Sequence, residues 1–222
     1  MFEHEKIDIG YEDLVAETSD SGRRCLAPDG NQYPSVTTVL SILNEEAIAA
    51  WRARVGEEEA NRVGGIASGR GTLVHDIIEK YLNNEDTSEY LPHIQQSFKN
   101  IKPILDEHIT KIYALEVPLY SKHLGLAGRV DCVAEYDGRP SIVDFKTSKR
   151  VKTHDKISNY FAQMSAYAII WEERTGMPIV DTTIIMDVDN EEPLVFREKR
   201  DNYTELLLNT VKEYNRRKLF NG

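Results

Sequence analysis

The chain has 222 residues, with 27 Lys and Arg against 37 Asp and Glu for a formal net charge of −10, and 41% of it is hydrophobic. That length buries a full core in one domain, and neither the apolar runs nor the mean hydropathy of −0.47 suits a membrane-spanning helix. Cys25 and Cys132 are too few for a disulfide framework or a four-cysteine metal site, and a pI of about 5.2 weighs, at first, against a nucleic-acid partner.

Residues 10–43 open with short alternating runs, Tyr11–Glu17 and Arg23–Ala27, punctuated by Asp-Ser-Gly and Pro-Asp-Gly in the manner of a hairpin. Ser35 is placed to cap a short helix over Val36–Leu43. A helical block follows. Glu45–Arg62 is charged and amphipathic and carries Trp51, and Ser68–Leu82 begins among Gly65, Gly69 and Gly71. Tyr90–Ile109 spaces Ile94, Phe98, Ile101, Leu105 and Ile109 by three or four.

Ile112–Tyr120, Leu126–Tyr136 and Ser141–Lys146 then read as strands separated by Gly or Asp-Gly turns. A long helix over 155–174 ends at Gly176 and Pro178, strands Ile179–Val188 and Leu194–Glu198 come next, and a polar helix over Asn202–Lys218 closes the chain. The order predicts an α/β (α+β) fold: a mixed central sheet flanked by helices, with an added N-terminal hairpin and helical region.

The chemistry concentrates in Gly128-Arg-Val-Asp131, a turn, and Ile142-Val-Asp144-Phe-Lys146. Residues i and i+2 of a strand share a face, so Asp144 and Lys146 project together, and the Asp137-Gly138 turn brings Asp131 alongside. Asp144 stands where a buried strand would place an aliphatic residue. Two carboxylates converging on a lysine need a counter-charge, and hard oxygen ligands suit Mg²⁺ or Mn²⁺. A solvated strand edge with one ion pair is the plainer alternative. In the next helix Tyr160, Gln163 and Tyr167 share a face. There Gln163 is either a satisfied buried amide or an orienting group for a water or phosphate oxygen. His75 and Glu79 lie one helical turn apart, without the second histidine of a zinc protease.

Gly71-x-x-x-His75, Gly128-Arg-Val-Asp131, Asp144-Phe-Lys146 and Gln163-x-x-x-Tyr167 occur in the order seen in RecB-type nucleases of the PD-(D/E)XK superfamily, which this string resembles. Tyr33-Pro-Ser-Val-Thr-Thr-Val-Leu40 is similar to the mitochondrial genome maintenance exonuclease branch. The motif acid is Asp144 rather than the commoner glutamate, and the cysteines that hold an iron–sulfur cluster in some relatives are missing, so no cluster is expected. The resemblance implies a restriction-endonuclease-like core and a metal held by His75, Asp131, Asp144 and the backbone carbonyl of Phe145. It gives Lys146 the task of positioning or deprotonating the attacking water, with a pKa lowered by burial and the metal. Gln163 and Tyr167 stand behind the site; Glu116 and Glu79 are further candidates, with a strand-edge charge the alternative for Glu116.

These readings predict one nuclease domain over 1–222: hairpin and short helix at 10–43, a helical region and DNA arch at 44–109, a catalytic core at 110–200 and a closing helix at 201–222. The expected activity is that of an Mg²⁺/Mn²⁺-dependent deoxyribonuclease, an exonuclease preferring single-stranded DNA with a free end. A structure-specific endonuclease and a catalytically silent nucleic-acid-binding module are the alternatives. Lys149, Arg150, Lys152, Lys156, Arg70 and Arg129 are the expected DNA contacts, while Trp51, Tyr160 and Phe161 either stack on bases or pack in the core. Replication or recombination proteins are possible partners of a monomer with no membrane association. The acidic opening residues, lacking a signal core or transit character, suggest the cytoplasm of a bacterial or phage-infected host, and a mature organellar form would look the same.

The negative charge is uneven. Residues 1–20 hold seven acids against Lys6, and residues 181–192 hold five acids and no base, while residues 139–156 hold six bases against two acids. Screening over about 10 Å makes the local potential decisive. The expectation is a basic track at the site, with both acidic stretches turned away from the strand.

Overall fold

The computed structural model describes residues 1–19 and 22–221, the side chain of Asn221 excepted. In chain order the elements are β1 (Glu3–His4), β2 (Val15–Ser19), β3 (Gly22–Leu26), β4 (Gln32–Pro34), α1 (Val36–Leu40), α2 (Glu45–Val55), α3 (Glu57–Leu82) and α4 (Pro92–His108). Then come β5 (Ile109–Ser121), β6 (Leu126–Tyr136), β7 (Arg139–Ser148), α5 (Ser158–Thr175), β8 (Asp181–Val188), β9 (Leu194–Lys199) and α6 (Thr204–Asn221). The main sheet runs β1-β5-β6-β7-β8-β9, and β2-β3-β4 form a separate antiparallel sheet. Within the main sheet β1/β5 and β7/β8 are parallel and the other neighbours antiparallel. The mixed α/β fold is thus the expected one.

Local chemistry sets the joints. Ser35 accepts a hydrogen bond from Thr38 N–H and caps α1. The Asp137-Gly138 turn between β6 and β7 has φ of 52° and 71°, the left-handed pair that a two-residue hairpin needs. Gly176, at φ 72°, ends α5 with its N–H on the Glu172 carbonyl. Parallel β7 and β8 are joined through α5, the crossover such a pairing requires.

Helices cover both faces of the main sheet. Ile142 and Ile184 pack with α1 and α5 through Val36, Phe161 and Trp171. Val143, Phe145 and Ile185 pack on the other face with Val74, Ile78 and Phe98 of α3 and α4. A smaller cluster, including Cys25, Tyr33 and Tyr120, fixes the small sheet to the ends of β5 and β6. No helix among the described residues is long and apolar enough to cross a membrane.

Three features differ from expectation. The N-terminal hairpin is a three-stranded sheet starting at Val15 rather than Tyr11, and its Asp20-Ser21 turn lies outside the described residues. The helix predicted to run to Arg62 stops at Gly56, whose φ of 86° a helix does not tolerate, and α3 then runs unbroken through Gly64, Gly65, Gly69 and Gly71. Finally, Glu3–His4 add to the sheet edge, a pairing too short to leave a periodic signal.

Candidate active site

The C-terminal half of α3 lies against β7 and delivers His75 to the sheet. Its Nε2 is 2.7 Å from the Phe145 carbonyl oxygen, which only accepts, so Nε2 is the donor. In the neutral ring this leaves the Nδ1 lone pair directed at the carboxylates, 3.4 Å from Asp131 Oδ2 and 4.0 Å from Glu116 Oε1. Register explains the acids: Glu116 on β5 faces Asp131 on β6, between the pairs Leu115–Cys132 and Val117–Val130. Glu116 adopts φ of 48°, a left-handed backbone unusual within a strand. Asp131 Oδ2 also accepts from Phe145 N–H at 3.1 Å, tying β6 to β7. His75, Glu116 and Asp131 each offer a ligand atom within 4.8 Å of the others.

Asp144 is 2% exposed and turns to Lys146, whose Nζ is 2.5 Å from Asp144 Oδ2. The ammonium thus supplies this buried oxygen with a compensating charge. Burial pushes the Asp144 carboxyl up to about 6 against the pull of Lys146. Burial alone would lower Lys146, but the Asp144 and Asp131 carboxylates outweigh it and hold the ammonium charged. With the protein's own groups around it, Lys146 is therefore a cation and hydrogen-bond donor, where the sequence suggested a depressed pKa. Its Nζ also lies 5.2 Å from the centroid of the Tyr160 ring.

Burial, then the charges of Asp131 and Glu79, push Glu116 up to about 8. Crowded carboxylates with one imidazole nitrogen are a donor set that fits a hard divalent cation. His75, Glu116 and Asp131 would hold it directly, and the Phe145 carbonyl orients His75.

These groups, with Lys146, Gln163 and Tyr167, line one open cavity of about 520 Å³. Gly128 is the only residue that fits beneath Tyr167, because a Cβ there would sit 2.7 Å from the hydroxyl. Gln163 lies beside that hydroxyl, half-buried and facing the cavity. Phe161 is fully buried in the core, and Trp51 is half-buried on α2.

The remaining candidates lie elsewhere. Glu79 lines a separate cavity with His4 and Lys6. Lys149, Arg150 and Lys156 are exposed and Lys152 half-buried on the segment after β7, outside the cavity. Arg70 is not a free cation: it binds Asp187 at 2.6 Å, Asp189, and Ser97 at 3.0 Å. Arg129 lines the cavity but is held by the Glu116 carbonyl and by Asp13 at 2.7 Å. The acidic stretches consequently do not both turn away. Asp13 lines the site cavity and Asp187 is buried, while Asp20 lies outside the described residues. Sequence reasoning also missed the cavity wall formed by the small sheet, which carries Arg23 and Cys25; only the fold brings it opposite β5 and β6.

A model of the PD-(D/E)XK nuclease superfamily matches residues 93–217. The chain belongs to that superfamily. Among curated relatives, Mitochondrial genome maintenance exonuclease 1 of Mus musculus is 30% identical over 151 residues, 61% of this chain and 44% of the relative. The Homo sapiens protein of that name is 26% identical over 140 residues, 55% of this chain and 38% of the relative. The chain thus spans less than half the length of either. A solved protein of Eubacterium rectale, provisionally named an exonuclease, superposes with a TM-score of 0.48 at 18% identity over 68% of this chain and 66% of that one. His75 lies outside the matched span and joins the site through the fold.

Proposed function

We propose that the chain is an Mg²⁺- or Mn²⁺-dependent DNA exonuclease that degrades single strands from a free end. The observation that carries this reading is the convergence of His75, Glu116, Asp131 and Lys146 in one open cavity, the lysine being paired with the buried Asp144. A bound divalent cation supplies Lewis acidity, lowering the pKa of a water and drawing charge from the phosphoryl oxygens. The protein's own part is to fix the ligands and the electrostatics. The Phe145 carbonyl holds the His75 ring, Phe145 N–H holds Asp131, and the charged Lys146 ammonium offers donors to a phosphate oxygen.

Preference for single strands is supported by α2 and the outer half of α3. This helical pair buries almost none of its residues, and Glu59 on it feels the charge of Lys149 in the basic segment after β7, which suits a role as an arch over a strand. The two curated relatives are named as exonucleases.

End-labelled single- and double-stranded oligonucleotides and a closed single-stranded circle, each with Mg²⁺, Mn²⁺ or EDTA, test the reading. The expected result is loss of the linear single strand in either metal, an intact circle and no reaction in EDTA. Cleavage of the circle selects the endonuclease reading, and cleavage in EDTA removes the metal.

A further inference from the structure

Among the described residues, Arg23 is a cation without a protein partner in a cavity where the other strong cations are already paired. Arg129 is bound to Asp13 and Lys146 to Asp144. Setting those two pairs aside leaves the His75–Glu116–Asp131 cluster, suited to a dication, and the guanidinium of Arg23. Among the described residues, Arg23, Arg54 and Arg150 are the arginines whose side chains have no hydrogen bond or ion pair with protein, and of these only Arg23 lines the cavity.

Its mount is rigid. On β3, Arg23 N–H donates to Thr38 Oγ1 at 3.0 Å and the Arg23 carbonyl accepts from Ser35 N–H at 2.9 Å. The preceding Gly22, at φ 102°, passes so close to Thr38 that a Cβ would lie 2.4 Å from its methyl carbon. The strand is therefore pinned against α1. Alternation along β3 puts Arg23 and Cys25 on the cavity side, and the charges of Arg23 and Arg129 both act on the Cys25 thiol. Arg24 faces the other way and donates to the Gln32 carbonyl at 2.7 Å.

A solvated guanidinium on a pinned strand, lining the same cavity as a carboxylate–imidazole cluster, suits an anion presented at the same time as a dication, and a phosphodiester is such an anion. The fork of a guanidinium matches two phosphate oxygens, which an ammonium does not. Resting on the nuclease reading above, we infer that Arg23 is a substrate-binding residue that takes a backbone phosphate of the strand, making the small sheet the wall against which the strand is held.

Salt dependence of binding separates this role from a structural one. Each phosphate contact on a single strand contributes about −0.7 to the slope of log affinity against log salt. Anisotropy of a labelled single-stranded oligonucleotide in calcium, across a sodium chloride series, is expected to show the slope of Arg23→Gln shallower by about 0.7. Arg23→Lys should keep the wild-type slope with weaker binding, and Arg24→Gln should match wild type in both. A wild-type slope for Arg23→Gln, while wild-type protein still degrades the oligonucleotide in Mg²⁺, overturns the role of Arg23 alone. Wild-type protein that neither binds nor degrades the oligonucleotide overturns the nuclease reading, and this inference with it.

Discussion

Two polar clusters flank the same stretch of α3, and they are built on opposite principles. Arg70 binds Asp187, Asp189 and Ser97, and Asn100 donates to the second oxygen of Asp187 at 2.9 Å, so a buried acid is satisfied on both sides. Five residues on, His75 meets Glu116 and Asp131, where carboxylate faces carboxylate and Glu116 is pushed up to about 8. Both clusters tie α3 to the sheet. One is closed by protein groups and anchors the helix; the other leaves ligand atoms turned toward one another, and a cation is what would relieve them. The type of residue does not distinguish an anchor from a site; the inventory of partners does.

The largest expected effects break that comparison in two directions. Asp131→Asn keeps an oxygen for Phe145 N–H but removes a charged ligand. It should lower kcat by about 10³-fold or more while leaving the urea midpoint near that of wild type. Arg70→Ala should do the reverse, leaving Asp187 buried without its cation at a cost of about 3 kcal/mol, read by urea denaturation. A stable Arg70→Ala protein with weakened DNA binding would return Arg70 to the DNA contacts suggested by sequence. An active Asp131→Asn protein would sink the site assignment.

The contrast between these clusters was half legible in the sequence. The Asp137-Gly138 turn and the shared face of Asp144 and Lys146 follow from two-residue periodicity, and the face of α5 that carries Gln163 and Tyr167 follows from helical spacing. These are short-range facts. Arg70 instead finds Asp187 at a separation of 117 residues, which no local pattern encodes. The place of Glu116 depends on the register of β5 against β6, set by irregularities between Ile109 and Ile112 and between Ile112 and Ala114. Asp13 and Arg23 reach the site through long-range packing of the small sheet, including the Tyr33–Tyr120 contact. Gly56, rather than the glycines within α3, ends α2, because an exposed helix tolerates glycines that meet nothing while a left-handed φ does not continue a helix.

A smaller effect concerns the unbalanced cluster itself. The carboxyl of Glu116 is raised in the fold, so folding favours its protonated form. The stability this contributes is full below the ordinary glutamate range and is lost as pH rises toward about 8. Glu116→Gln, permanently neutral, should therefore melt close to wild type at pH 5 and above it at pH 8 in EDTA. Saturating Mn²⁺ should reverse the order at pH 8, since only the carboxylate binds the ion. A pH-independent difference between the two proteins would mean that Glu116 is solvated like a surface acid, and the contrast with the satisfied Arg70 cluster would fail.

The smallest effect tests whether the Arg70 anchor divides α3 into two independent halves. Gly65 lies in the exposed outer half, and a Cβ there would meet nothing within 4 Å. Gly65→Ala should thus stabilise the local helix by about 1 kcal/mol. With almost no buried side chains between Glu57 and Gly69, that half can open without the rest of the molecule. The gain should appear as about fivefold slower amide exchange over residues 57–69. The melting temperature should hardly move, because near it the outer helix is already mostly open and the rest of the molecule unfolds from that state. Exchange slowed equally around His75 would show the two halves to be one cooperative unit, with Arg70 a link in a continuous helix rather than its boundary.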